Sequence, residues 1–267
     1  MGFRLFGTFI PYYGTCILIG IACAFLIGFY LCKKLSLNTD DFMIICAYLV
    51  AFGFTGAKIL YILVSLKYIN WSFVFQSMKN FNAFIGSGFV FFGGLIGGLL
   101  AMPFIKKVHK IDVYSYLKCL TPALGVAHCF GRIGCSLAGC CHGRPTTGNF
   151  YFIYSESIAA PNGVKLFPIQ GIEAFSVLCI AIVCFILVIK KKDIKVHYLY
   201  ISIYSVVRFI LEFYRADSVR GFVAGLSTSQ IISISLLLII ICLEIYERFI
   251  RKKKIVKTEE ITEQENI

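Results

Sequence analysis

Tyr204, Arg208 and Glu212 recur at every fourth position in YISIYSVVRFILEFYRAD, and Arg215 follows three residues later. On a helix such spacing makes one polar stripe, with Ile201, Val207, Ile210 and Leu211 left for lipid or helix packing. A guanidinium steered by a phenol and a carboxylate is a fork suited to a phosphate or carboxylate. The plain alternative is a structural Arg208–Glu212 pair that cross-links helices. A second chemical stretch is HCFGRIGCSLAGCCHGR, His128 to Arg144, with two histidines, four cysteines, two arginines and four glycines in 17 residues. It admits four readings. Cys135, Cys140, Cys141 and His142 could bind a metal, although the paired C-x-x-C of common zinc sites is missing. Cys135, Cys140 and Cys141 could form a disulfide, whose connectivity the spacing does not give. A thiol near Arg132 could act as a nucleophile. Gly131, Gly134, Gly139 and Gly143 with Arg132 could frame an anionic headgroup, and these glycines argue against a regular helix throughout.

Other polar residues fall within apolar windows. Lys58 and Tyr61 stand in FTGAKILYILV, and Gln170 and Glu173 share a face in FPIQGIEAF. Ionisable residues at hydrocarbon depth are costly and point to function. Gly86, Gly88, Gly93, Gly94, Gly97 and Gly98 either let helices approach closely or let backbone amides reach an anion.

The elements that must position these groups are membrane helices. The chain has 267 residues, 58% of them apolar and 15% charged, with a mean hydropathy of +0.82, far outside the composition of a soluble domain. Seven windows are apolar over about the 20 residues a span needs, at 12–32, 43–65, 84–105, 112–131, 167–189, 197–214 and 227–247. The fourth and sixth are shorter and interrupted by Lys118 and Arg208, and Pro103 and Pro122 are expected at helix ends or kinks. The fold class is therefore all-α, one polytopic domain over residues 1–250 with an outer-face loop at 132–166. A basic, then polar and disordered, tail occupies 251–267.

The net charge of +12 is placed for topology rather than for nucleic acid. Fifteen of the 26 basic residues follow the first, third, fifth and seventh spans, at 33–34, 106–110, 190–195 and 248–257. Positive loops stay cytoplasmic, which puts the N-terminus outside and the C-terminus inside. Of the twelve cysteines, only Cys129, Cys135, Cys140 and Cys141 cluster; the others lie in or beside spans as small hydrophobes.

Taken together these motifs resemble the bacterial prolipoprotein diacylglyceryl transferases. GRIGCSLAGCCHGR is similar to that family's G-R-x-G-N-x-x-N-x-E-x-x-G loop. Tyr13-Gly14, GAKILY from Gly56, FFGGLIGG from Phe91, FPIQGIE from Phe167, the Tyr204–Arg208–Glu212–Arg215 stripe and LSTSQIIS from Leu226 resemble its other motifs, in order. The resemblance implies transfer of diacylglyceryl from phosphatidylglycerol to the thiol of a lipobox cysteine in a prolipoprotein, in the bacterial plasma membrane, with no cofactor or metal. It implies that Arg132 and Arg208 hold the phosphate, oriented by Tyr204 and Glu212. Tyr13, Lys58, Gly93, Gly94, Gly131, Gly134, Gly139, Gln170, Glu173 and Arg215 would line the substrate cavity. The departures are specific. Phe92 stands for a histidine, Cys135 and Ala138 for asparagines, Cys140 for a glutamate, Phe167 for the histidine of H-P and Lys118 for an aspartate. With the histidine gone, His128 and His142 are the candidate bases. Two other readings stay open: a phospholipid-dependent transferase with a different acceptor, and a redox- or metal-responsive membrane protein built on Cys135, Cys140 and Cys141.

Overall fold

The computed structural model describes residues 2–5, 8–157, 159–192, 194–216, 222–223 and 225–265; for residues 3, 5, 8, 9, 222, 223 and 250–265 it describes the backbone alone. Among the described residues the order is β1 (Gly2–Leu5), β2 (Thr8–Pro11), α1 (Tyr12–Lys34), α2 (Thr39–Ser65), α3 (Trp71–Phe75), α4 (Met78–Gly86), α5 (Phe91–His109), α6 (Val113–Ala138), α7 (Ile169–Ile189), α8 (Val196–Glu212), β3 (Phe222–Val223), β4 (Leu226–Ser227) and α9 (Thr228–Glu265). The all-α expectation thus acquires two short antiparallel hairpins, β1–β2 and β3–β4.

Five helices are long and apolar enough to cross a membrane: α1, α2, α5, α7 and the first part of α9, Thr228–Phe249. Their flanks expose large apolar side chains such as Leu18, Leu63, Leu100, Ile182 and Leu238, the pattern of surfaces meant for lipid. The fourth and sixth expected spans are helices, α6 and α8, that fall outside this group. They carry Arg132 and Arg208, and α8 has only 17 residues.

Several boundaries differ from the hydropathy reading. The third span does not begin at 84, because α4 ends at Gly86 and α5 starts at Phe91. Between them Gly88 has φ +67°, and a Cβ there would lie 2.4 Å from the Tyr61 ring. Helix α6 does not stop at 131, as its glycines suggested, but runs through Gly131 and Gly134 to Ala138. Gly134 faces α1, where a Cβ would meet Cys16 and Tyr13 at 3.2 Å, so it is a packing residue within the helix. The break comes at Gly139, whose φ of +71° ends the helix, and the outer loop begins there instead of at Arg132. Pro103 and Pro122 both lie inside helices. The tail is helical to Glu265, in line with the helix propensity of its Glu, Lys and Gln residues.

Where hydropathy draws one domain, packing divides the chain into two compact units, Phe29–Leu117 and Met1–Gly28 with Lys118–Ile267. In the first, α2 and α5 run antiparallel at backbone contact. A Cβ at Gly93 would lie 2.3 Å from the Gly56 carbonyl, and one at Gly97 2.1 Å from the Phe52 carbonyl. Farther along, His109 Nε2 and Tyr48 Oη are 3.0 Å apart beside the tilted ring pair Phe52 and Phe104. Lys58 donates to the carbonyls of Phe84 and of Ser87, the latter at 2.7 Å, and so neutralises the C-terminal end of α4.

In the second unit α6 lies between α1 and the pair α7–α8. Gly20 of α1 leaves room for Phe130, and Gly125 leaves room for Ala181 of α7 and Tyr200 of α8. Cys129, Ala174 and Val177 form a buried cluster there, covered by Leu178 and Tyr204. The N-terminus of α9 is fixed by a capping box: Ser227 Oγ accepts from the Gln230 amide at 3.2 Å, and Gln230 Oε1 accepts from the Ser227 amide at 3.0 Å.

Candidate active site

The polar residues of the second unit converge on Glu173, which is 1% exposed. Pro168 caps α7, and one turn later Gln170 and Glu173 point to the same side. Arg132 Nη2 of α6 lies 3.0 Å from Glu173 Oε1, and Arg208 Nη1 of α8 lies 3.6 Å from Glu173 Oε2. Tyr204 donates its hydroxyl to Glu173 Oε1 at 2.9 Å. One carboxylate therefore binds two guanidiniums and a phenol from two other helices.

Arg208 has further partners. Its Nη2 lies 2.6 Å from Glu212 Oε2, one helical turn on, and donates to Ser229 Oγ of α9 at 3.1 Å. Glu212 also faces Arg215 Nε at 3.8 Å. The stripe expected on the sixth span is thus assembled, with a change of roles. Tyr204 serves Glu173 and not Arg208, and Arg215 lies just past the end of α8. Arg208 Nη1 is buried without a hydrogen-bond acceptor among the described residues. In a site this buried, such a donor is an opening for an added anion.

The outer loop closes over this cluster. Gln170 Nε2 donates to the Cys140 carbonyl at 2.9 Å and to Tyr154 Oη at 3.3 Å, so α7 holds the loop. Arg144 ties it to the segment after α8, through its amide to the Tyr214 carbonyl and its Nε to the Arg215 carbonyl, each at 2.9 Å. Gly143 makes this possible, since a Cβ there would lie 2.3 Å from the Phe167 carbonyl. Tyr13 lies against Gly134, beside the sulfurs of Cys135, Cys140 and Cys141.

Those three sulfurs lie within 4.8 Å of one another. The spacing argued against a metal site, but the turn at Gly139 and a left-handed Cys141, φ +56°, bring together what the sequence spreads over seven residues. No disulfide joins any of the twelve cysteines. Hydrogen bonds from the Cys135 and Cys140 thiols, followed by the adjacent Arg215 guanidinium, hold the Cys141 thiol well below the usual thiol range. Arg132, Arg208 and Arg215 then face Glu173, Glu212 and the Cys141 sulfur.

The two histidines separate. His128 Nδ1 lies 3.0 Å from Tyr200 Oη, and its ring packs edge-on against Tyr204 at 4.8 Å, inside the arginine cluster. His142 is turned to the carbonyl of Gly143, 3.1 Å away. Lys58, Gly93 and Gly94 belong to the other unit. There Lys58 caps α4, Gly93 packs on α2, and the Gly93 and Gly94 amides bond to the Val90 carbonyl. Phe92 is in the first turn of α5. A Cβ at Gly131 would meet Ile17 only at ordinary contact distance. Ser229 was missed as a site residue, although S-x-x-Q before an apolar run is a readable capping signal that fixes its position.

The sequence profile of the prolipoprotein diacylglyceryl transferases matches residues 1–246. The chain belongs to the prolipoprotein diacylglyceryl transferase family. A phosphatidylglycerol–prolipoprotein diacylglyceryl transferase 2 of Clostridium perfringens is 37% identical over 238 residues, 88% of this chain and 90% of the relative. The Clostridium tetani phosphatidylglycerol–prolipoprotein diacylglyceryl transferase is 36% identical over 250 residues, 92% of this chain and 97% of the relative. One from Dehalococcoides mccartyi is 27% identical over 267 residues, covering 98% and 97%.

Proposed function

We propose that this chain transfers the diacylglyceryl group of phosphatidylglycerol to the cysteine thiol of a prolipoprotein lipobox. The observation that carries the reading is the buried pair Arg132 and Arg208 on one carboxylate, with Arg208 Nη1 ion-paired at 3.6 Å but without a hydrogen-bond acceptor among the described residues. The names of the clostridial relatives supply the donor and acceptor classes. As the thiolate sulfur bonds to the glyceryl carbon, the carbon–oxygen bond to phosphate breaks and its electron pair leaves with glycerol phosphate. Charge grows on that phosphate, and two preorganised guanidiniums are placed to stabilise it. Glu173 orients both arginines, and Glu212 and Ser229 fix Arg208. His128, between Tyr200 and Tyr204, positions the phenol that serves Glu173. Tyr13, Gly131, Gly134, Gly139, Gln170 and Arg215 shape the wall and outer loop of the cavity.

In this reading α6 and α8 complete seven spans in a bacterial plasma membrane, with the cysteine loop outside and the basic α9 end inside. The test is direct. Purified protein in phosphatidylglycerol micelles is incubated with a lipobox peptide, and mass spectrometry looks for the diacylglyceryl adduct on its cysteine. Product that vanishes with Arg208→Ala is expected. Absence of product from wild-type protein that still binds phosphatidylglycerol would redirect the fold to another acceptor.

A further inference from the structure

A thiol arriving at the outer loop meets few groups able to take its proton. Glu173 and Glu212 are held by guanidiniums, and His142 and His128 each bond through Nδ1, to the Gly143 carbonyl and to Tyr200, which leaves Nε2 of either ring as the remaining base. Three sulfurs, however, stand together at the base of that loop.

We propose that Cys135, Cys140 and Cys141 hold a zinc ion whose open fourth position takes the acceptor thiol. A tetrahedral zinc ion with bonds of about 2.3 Å needs sulfurs roughly 3.8 Å apart, which lies inside the 4.8 Å limit that encloses all three. The backbone around them is fixed. Cys140 donates its amide to the Cys135 carbonyl at 3.2 Å, Gly139 accepts from Ala160 at 3.0 Å, and the Cys140 carbonyl accepts from Gln170. Neighbouring side chains ordinarily diverge. Here the left-handed backbone of Cys141 sends its sulfur back toward Cys135, an uncommon conformation of the kind that gathers at binding sites. Three thiolates on Zn²⁺ carry one negative charge, and the Arg215 guanidinium beside Cys141 and that of Arg132 stand against it. Cys135 is buried while Cys140 and Cys141 are partly exposed, so one side of the trio is open. Among the described residues only these three sulfurs gather as ligand atoms, and His142, the next residue, is not one of the group. Three protein ligands with an open position are the mark of a catalytic zinc site, not a structural one.

The inference rests on the transferase reading and gives the zinc a task in it. A zinc-bound thiol is deprotonated, so the acceptor cysteine releases its proton to water on binding. Its sulfur then attacks the glyceryl carbon, the carbon–oxygen bond breaks, and glycerol phosphate departs with the electron pair. The thioether formed is a poor zinc ligand and leaves. No oxidant or reductant takes part.

The test uses the full chain in detergent. Elemental analysis after incubation with zinc and desalting should find about one zinc per chain. Cys140→Ser and Cys141→Ser should each lose it, and Cys179→Ser, outside the cluster, should retain it. Protein loaded with cobalt in place of zinc should show a sulfur-to-cobalt charge-transfer band that strengthens with a lipobox peptide and not with its Cys→Ser analogue. Zinc retained equally by the Ser variants, no zinc at all, a disulfide among the three cysteines, or a cobalt band blind to the peptide overturns the proposal. Chelator-stripped protein that transfers at the full rate also sinks the zinc while leaving the transferase. A band that responds to the peptide without any lipid transfer keeps the site and sinks the transferase instead.

Discussion

Arg208 and Glu173 test the chemistry at the scale of single residues. Arg208→Lys keeps the charge but loses the planar fork that reaches Glu173, Glu212 and Ser229 together. Transfer, measured as kcat/KM with the lipobox peptide, is expected to fall roughly 10²–10³-fold. Glu173→Gln leaves two buried guanidiniums without their shared partner. A stability loss of about 3–5 kcal/mol is expected, read as a lower melting temperature in detergent. Tyr204→Phe removes only one donor to that carboxylate, and about 1 kcal/mol of stability with it. A melting temperature as low as that of Glu173→Gln would contradict this ordering. Much of this site was readable beforehand, because i, i+4 spacing on an apolar helix fixes a stripe whatever surrounds it. The hub was not. Nothing in FPIQGIEAF says that Glu173 pairs with residues 41 positions before it and 35 after it, since helix packing decides that.

At the scale of elements, glycine placement separates two roles that look identical in sequence. Gly93→Ala would press a methyl into the Gly56 carbonyl, and about 1–3 kcal/mol of destabilisation is expected. Gly98→Ala, one turn on but with nothing within 4 Å, should be neutral or slightly stabilising in the same melt. Equal effects at both positions would show that α2 and α5 do not pack on this face. The helices themselves were legible as long apolar windows. The end of α6 was not, because Gly134, read as a breaker, is a site of close approach, Gly131 is an ordinary helical residue, and the break waits for Gly139. The cysteine trio was hidden for a related reason: a single left-handed residue folds Cys141 back, and no side-chain preference announces it.

At the scale of the whole molecule, the distribution of basic residues predicts which face meets which compartment. An epitope inserted at Gly148 should be stained on intact cells, and one at Lys191 only after permeabilisation; the reverse pattern would invert the topology. The same scale gives Glu173 a meaning beyond orientation. It is a resident anion, built into the protein at a local concentration no dissolved ion can match. Between turnovers it occupies the guanidiniums, so the buried cations are never bare and need no chloride from solution. In the proposed reaction a lipid phosphate would have to win a competition against a tethered rival. A ligand whose acyl chains raise its own local concentration in the bilayer would be equipped to do so, and small soluble phosphates would be screened out before any contact with the rest of the headgroup is made.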